Sequence, residues 1–237
     1  LMERQMVTLQ LLLTSLKFER GGYMSRKRIV CFGDSLTWGF DPDNRVRFDE
    51  GIRWTSVLSE KLGPDYVVIE EGQNGRTIAS DDPSEGEKNG FTYVGPCLES
   101  QSPLDLMIIM LGTNNLKPKF GLCSMDIAGQ MQIMLQKILS INHFKFEDKM
   151  KIILVSPPYV GENIRNSWLG ESFGYEAAIK TSKELASWYK QLADMYNIGY
   201  IDASQYVEVS ETDSIHMDSK NQRKLGKVIY ASVKELI

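Results

Sequence analysis

"IVCFGDSLTWGF", residues 29–40, runs an apolar stretch into Gly33-Asp34-Ser35-Leu36 and then into Trp38 and Gly39. Gly, Asp and Ser are ordinary turn residues, so one reading is a plain turn. The other reading is a serine nucleophile held at the end of a first strand. The remainder of the chain decides between them.

Short apolar runs alternate with stretches of helical period on both sides of this segment. "DYVVIEEG" (65–72) reads as a second strand, "LDLMIIML" (104–111) as a third that is apolar enough to be covered on both faces, "MKIILVSPP" (150–158) as a fourth stopped by proline, and "IGYIDA" (198–203) as a fifth. Between them, 51–63 places Trp54, Val57, Leu58 and Leu62 on one helical face with Gly63 as a stop. Residues 125–142 and 174–196 read as longer helices, and 219–237 as a closing helix with Ser219 as N-cap. Strand and helix in alternation predict βαβ crossovers and a mostly parallel sheet with helices on both faces. Ligands of such sheets bind beyond the carboxyl ends of the strands. The residues there are Gly33-Asp34-Ser35, Gly72-Gln73-Asn74-Gly75, Gly112-Thr113-Asn114-Asn115 and Ser156-Pro157-Pro158, followed by a last loop holding Asp213 and His216.

The chain has 237 residues, 42% hydrophobic and 24% charged, enough for one domain with a full core. A net charge of −4 and a pI near 5.4 argue against a nucleic-acid partner. No apolar run reaches the ~18 residues that span a bilayer. Cys31, Cys97 and Cys123 are odd in number and lack CxxC spacing, which speaks against disulfides and metal and for the reducing cytoplasm. Two readings of residues 1–23 stand open. One takes Met24 as the true start, with the preceding extension not native; the other is a short helical extension packing a leucine face. A single domain is expected over 24–237.

A serine needs a base to attack at neutral pH. The two histidines are His143 and His216. His143 lies at the far end of a helix that leads into the fourth strand, toward the end of the sheet opposite Ser35, and reads as a surface or capping residue. His216 lies on the functional edge, three residues after Asp213. A short turn folds that carboxylate back onto one ring nitrogen and leaves the other for the serine, the division of labour of a triad. Taken alone, the pair is equally an Asp-containing turn with a solvent-facing histidine. Donors for a developing oxyanion are the Ser35 N–H, Gly75 and the Asn114 side chain, each by itself an unremarkable turn residue, stronger together. The α/β-hydrolase elbow G-x-S-x-G is excluded, because Thr37 stands where its second glycine belongs. Neither G-x-x-x-x-G-K-[ST] nor G-x-G-x-x-G after the first strand is present.

"FGDSLTWG" resembles the first block of the GDSL, or SGNH, hydrolases. Gly75 in "GQNGRT", Asn114 in "LGTNN" and the pair Asp213 and His216 in "DSIH" resemble the other three blocks, in order, across nearly all of 24–237. "RWTSVL", "IEEGQNGRT", "PLDLMIIMLGTNNLK" and "LVSPP" are similar to the arylesterase and acyltransferase branch. The resemblance implies a flavodoxin-like three-layer α/β/α sandwich with a five-stranded parallel sheet, and a serine esterase acting on short, acetyl-type esters through Ser35, His216 and Asp213. It also implies transfer to alcohols or hydrogen peroxide as a further activity, and a homo-oligomer. No cofactor or metal is expected, since the mechanism needs none and the sequence offers no clustered ligand set. Asn115 departs from the aspartate common at its position, so altered hydrogen bonding with retained activity is expected. Trp38 is expected over the pocket mouth, with Leu36 and Ile215 narrowing the acyl side. Residues 81–100 read as a long inserted loop. Carbohydrate deacetylation and a non-catalytic binding relative are the competing functions.

Overall fold

The computed structural model describes residues 26–145 and 149–237, so the extension at 1–23 lies outside the described residues. Five strands form one parallel sheet: β1 (Lys27–Gly33), β2 (Tyr66–Gly72), β3 (Leu106–Met110), β4 (Lys151–Ser156) and β5 (Gly199–Asp202), in the order β2-β1-β3-β4-β5. Among the described residues seven α-helices accompany it: α1 (Ser35–Trp38), α2 (Trp54–Leu62), α3 (Gly90–Gln101), α4 (Ser124–Lys145), α5 (Gly170–Phe173), α6 (Glu176–Tyr196) and α7 (Ser219–Leu236).

Strand side chains alternate between two cores. Val30, Phe32, Met107, Ile109, Ile152 and Leu154 face Leu98 of α3, Leu135 of α4 and Leu185 of α6. Ile29, Cys31, Ile108, Met110, Ile153 and Val155 face Trp54 of α2 and Leu225 and Ile229 of α7. Because both faces are covered, β1, β3 and β4 are almost wholly apolar. Each fully buried large side chain contributes ~1.5–3 kcal/mol. The architecture is the three-layer α/β/α sandwich of the flavodoxin-like class.

Register positions the site. Gly33 pairs with Gly72 on one side and Met110 on the other, so β1, β2 and β3 end level. The residues that follow therefore emerge side by side at the point where strand order reverses, where crossovers leave to opposite faces and open a crevice.

Two expectations are corrected. The N-cap of α7 is Asp218, whose carboxylate accepts the Asn221 N–H; Ser219 is the first helical residue. Residues 81–100 are not one long loop, since α3 occupies the second half, N-capped by the Asn89 side chain. Gly90, Gly95 and Pro96 mask this helix as poor formers. Val94, Cys97 and Leu98 nevertheless bury at helical spacing.

Candidate active site

Ser35 opens α1, a single turn laid across the ends of β1 and β2. Asp34 caps it: Oδ1 accepts the Leu36 N–H at 2.9 Å, and its carbonyl accepts from Thr37 and Trp38. A Cβ on Gly33 would meet the Thr37 side chain and the Met110 carbonyl, and one on Gly72 would meet the Trp38 backbone. Glycine at both strand ends lets the turn sit this low. Leu36 points into the core beside Trp54 and Met217, and its carbonyl accepts from Gln222 of α7, which also holds the Trp54 N–H.

Leu36 therefore does not narrow a pocket, contrary to the sequence reading, because the capped turn aims it at the α2/α7 layer. Trp38 does not cover the mouth either. The chain reverses at left-handed Gly39 (φ +87), Trp38 packs against Arg47, and Phe40 returns over the site with its N–H on the Ser35 carbonyl.

His216 arrives from the far end of the chain. Its Nε2 lies 2.8 Å from Ser35 Oγ and its Nδ1 2.6 Å from Asp213 Oδ2. Asp213 is fully buried, and its Oδ1 accepts the N–H groups of Ile215 and His216 at 2.9 and 2.8 Å. The carboxylate is thus saturated by its own turn, which passes through left-handed Ser214 (φ +62). The turn is pinned from outside: Ser167 Oγ donates to the Asp213 carbonyl at 2.6 Å, the Gly161 N–H to Ser214, and the Ser210 N–H to His216. Phe40 packs against the imidazole at a tilt of 34°, with centroids 4.3 Å apart. His143 is exposed near the end of α4 and has no part in this assembly.

Gly75 and Asn114 face the same space. Gly75 is left-handed (φ +80), and a Cβ there would strike the Glu85 carboxylate. Neither the Ser35 nor the Gly75 N–H donates to another group among the described residues, so both remain available. Asn114 sits in a 3₁₀ turn, Thr113–Leu116, and donates one N–H to the Arg76 carbonyl at 3.2 Å; an amide has a second to offer. Asn115 works as a tie: its Oδ1 accepts the Ile78 N–H at 2.9 Å and its Nδ2 reaches Gln130 at 2.8 Å. A carboxylate at that position could accept the first bond but not donate the second.

Burial pushes the Asp34 carboxyl up to about 6, against the pull of the Leu36 N–H, His216 and Arg76; its Oδ2 is buried without a partner. Arg76 was missed by sequence reasoning. Its Nη1 donates to the carbonyls of Gly33 (2.9 Å) and Glu71, and its guanidinium lies 4.3 Å from the Phe32 ring centre and 5.2 Å from that of Tyr93. Through its own carbonyl it also seats Asn114. The three loops after β1, β2 and β3 thus meet at one buried cation. The signal was an arginine beside a loop glycine at the end of a strand.

Ser35, His216, Gly75, Asn114, Phe40 and Ile215 line one cavity of about 450 Å³. Its outer wall is charged, which the sequence did not reveal. Lys117 pairs with Glu85 at 2.7 Å, and Lys119 pairs with Asp82 at 2.5 Å and Glu85 at 3.3 Å. Burial raises the Glu85 carboxyl, but the Lys117 bond outweighs it and holds the group below its ordinary value. Trp168 forms another part of this wall. Ser156, the last residue of β4, does not reach the cavity and instead bonds Tyr200 and Asp202; the segment after β4 reaches it only further along, at Trp168 and Leu169. No cluster of His, Cys, Asp or Glu suited to a metal occurs among the described residues, and no described helix is long and apolar enough to cross a membrane.

A parallel five-stranded sandwich with a serine, a glycine, an asparagine and a histidine gathered at its switch point defines the SGNH hydrolase fold. The family model for GDSL-like lipase/acylhydrolases matches residues 31–224, and the chain belongs to that family; the described domain is of the carboxylic ester hydrolase class. Among solved structures, the native aryl esterase of M. smegmatis is 37% identical with a TM-score of 0.82, over 89% of this chain and all of that one. Est24, a carbohydrate acetylesterase from Sinorhizobium meliloti, is 34% identical with a TM-score of 0.83 over the same shares. An acetylxylan esterase of Xylanibacter ruminicola is 24% identical over an alignment of 223 positions that covers 87% of this chain but 43% of that curated relative's length.

Proposed function

We propose that this protein is a serine esterase of short acyl groups working through an acyl-enzyme. The observation that carries the reading is the continuous hydrogen-bonded chain from Ser35 Oγ through both nitrogens of His216 to Asp213, at 2.8 and 2.6 Å, on the floor of the cavity.

His216 Nε2 takes the Ser35 proton as Oγ bonds to the ester carbonyl carbon. The carbonyl oxygen becomes an anion met by the N–H groups of Ser35 and Gly75 and the Asn114 amide. Asp213 holds the imidazole in the tautomer with Nδ1 protonated and stabilises the imidazolium. The intermediate collapses, the C–O bond to the leaving alcohol breaks, and His216 delivers its proton to that oxygen. A water then attacks the acyl carbon, gives its proton to His216, and frees the acid while Ser35 regains a hydrogen. An alcohol or hydrogen peroxide entering in place of water completes a transfer instead. Phe40 and Ile215 line the same cavity as Ser35, which supports a small acyl group.

The test is turnover of p-nitrophenyl acetate and of esters of increasing chain length, with and without added alcohol. Rates falling with chain length, and ester formation from the added alcohol, are expected; equal rates for acetyl and decanoyl esters contradict the short-acyl reading. The proposed homo-oligomer is checked by light scattering, where a mass near 26.9 kDa contradicts it.

A further inference from the structure

Gly75 is read as a donor to the anion that forms on the ester carbonyl, yet a carboxylate lies directly against it. The glycine is in left-handed backbone (φ +80), and a Cβ built on it would strike Oε2 of Glu85. Glu85 lines the same cavity as Ser35 and Asn114. The Lys117 bond holds its carboxyl below the ordinary value despite burial, so it is ionised at neutral pH. A negative charge beside the place where a second one develops opposes acyl transfer, and more so once substrate has displaced water from the cavity.

The chain answers that charge on the other carboxylate oxygen. Lys117 Nζ lies 2.7 Å from Glu85 Oε1, and Lys119 Nζ approaches the same oxygen at 3.3 Å. Oε2 accepts no hydrogen bond among the described residues. Lys117 is the better placed of the two lysines. It is nine-tenths buried, and its ammonium lies 5.7 Å from the centre of the Phe173 ring. Its backbone N–H donates to the Asn114 carbonyl at 3.3 Å, so this cation leaves from the end of the 3₁₀ turn that carries the Asn114 amide. Lys119 is more exposed and shares its charge with Asp82 at 2.5 Å. The Asp82 carbonyl accepts the N–H groups of Glu85 and Gly86, which forms the turn that presents Glu85. The stem of Lys88 also borders the Gly75 position, but its ammonium makes no ion pair with Glu85.

We infer that Lys117, backed by Lys119, is a positioning residue of the oxyanion hole: it holds the Glu85 carboxylate and cancels its charge, so that an anion can form beside Gly75. This rests on the reading of Ser35 as nucleophile, and the experiment separates the two.

The full chain and its variants K117M, K117R, K119M, E85Q, S35A, E85Q/K117M and E85Q/K119M are assayed on p-nitrophenyl acetate and ethyl acetate, with folding checked by thermal melting. K117M is expected to lower kcat roughly tenfold on both esters with KM within twofold, because it strands a carboxylate beside the developing anion. K117R keeps the charge and recovers most of that loss. Adding E85Q to K117M also recovers most of it, and E85Q alone raises kcat about two- to threefold. K119M repeats the pattern at smaller size, again relieved by E85Q; Lys119 is partly exposed, so this variant decides the matter if K117M does not fold. A clamp with no electrostatic role gives a different order, in which E85Q damages as much as K117M and the double variant is no better than either. That order, an unchanged kcat in K117M and K119M, or a loss confined to KM overturns the inference. S35A decides the parent reading independently: retained ethyl acetate hydrolysis in that variant removes the nucleophile, whereas an inactive S35A beside silent K117M and K119M removes only the role of the lysines.

Discussion

The cavity has two walls made in different ways. The inner wall is Ser35, Gly75, Asn114 and the Asp213–His216 turn. Its groups emerge at strand ends or from a tight turn and are almost all nine-tenths buried or more; the Asp213–His216 turn bonds within itself and to Ser35, while the Ser35 and Gly75 N–H groups stay free. The outer wall, from Glu85 through Lys117 and Lys119 to Trp168 and Glu171, consists of long side chains on connecting segments and the short α5, several of them exposed, with both lysines ion-paired to Glu85. The inner wall can stabilise charge because it is dry and already organised. The outer wall sorts what approaches, except where Glu85 leans on Gly75. Changes to the first should therefore damage every substrate, and changes to the second, away from that carboxylate and its lysines, should damage some.

The largest expected effect lies at the centre of the inner wall. S35A and H216A should each lower kcat for p-nitrophenyl acetate by on the order of 10⁴-fold or more, while H143A leaves it unchanged. Activity of either variant within tenfold of wild type would erase the distinction between the walls.

Next is N114A, which should lower kcat by ~10²–10³-fold with KM nearly unchanged, as loss of one oxyanion donor does. R76M tests how that donor is held. Arg76 touches no substrate, so it is a positioning residue: R76M should lower kcat rather than raise KM, and R76M with N114A should be little worse than N114A alone. Full additivity in that cycle, measured on folded protein, would mean that Arg76 acts elsewhere.

A smaller effect concerns stability. Asp34 is pushed up to about 6 in the folded state by burial, above the ordinary carboxylate value of ~3.9. A raised carboxyl stabilises the fold only while protonated. The penalty is therefore absent below about pH 4, grows as pH rises toward 6, and stays constant above that, at about 3 kcal/mol. D34N keeps an oxygen for the Leu36 N–H and removes the buried charge. Its melting temperature should exceed wild type at pH 7.5, with the gap closing toward pH 4. An equal gap at both pH values would contradict the assignment.

The two walls also differ in how far the sequence foretold them. β1, β3 and β4 were legible because burial on both faces leaves unbroken apolar runs. Asp213 and His216 were legible because a three-residue spacing is short enough for a turn to decide their meeting. Leu36 and Trp38 were misplaced for a geometric reason. A one-turn helix ended by a left-handed glycine reverses the chain, so Phe40 rather than Trp38 covers the imidazole. The helix at Gly90–Gln101 hid behind two glycines and a proline, and it forms because tertiary burial of Val94, Cys97 and Leu98 overrides propensity. Lys117, Glu85 and Trp168 could not be placed, because what brings long side chains from separate loops together is the finished fold.

The central claim is that Ser35 Oγ becomes covalently acylated with His216 as its base. The direct measurement is mass spectrometry of the protein after reaction with an organophosphonate ester, followed by peptide mapping. The account predicts a single phosphonyl adduct on Ser35, formed in wild type and N114A and absent in S35A and H216A. An adduct on a different residue, or full esterase activity in protein that never becomes labelled at Ser35, would contradict it.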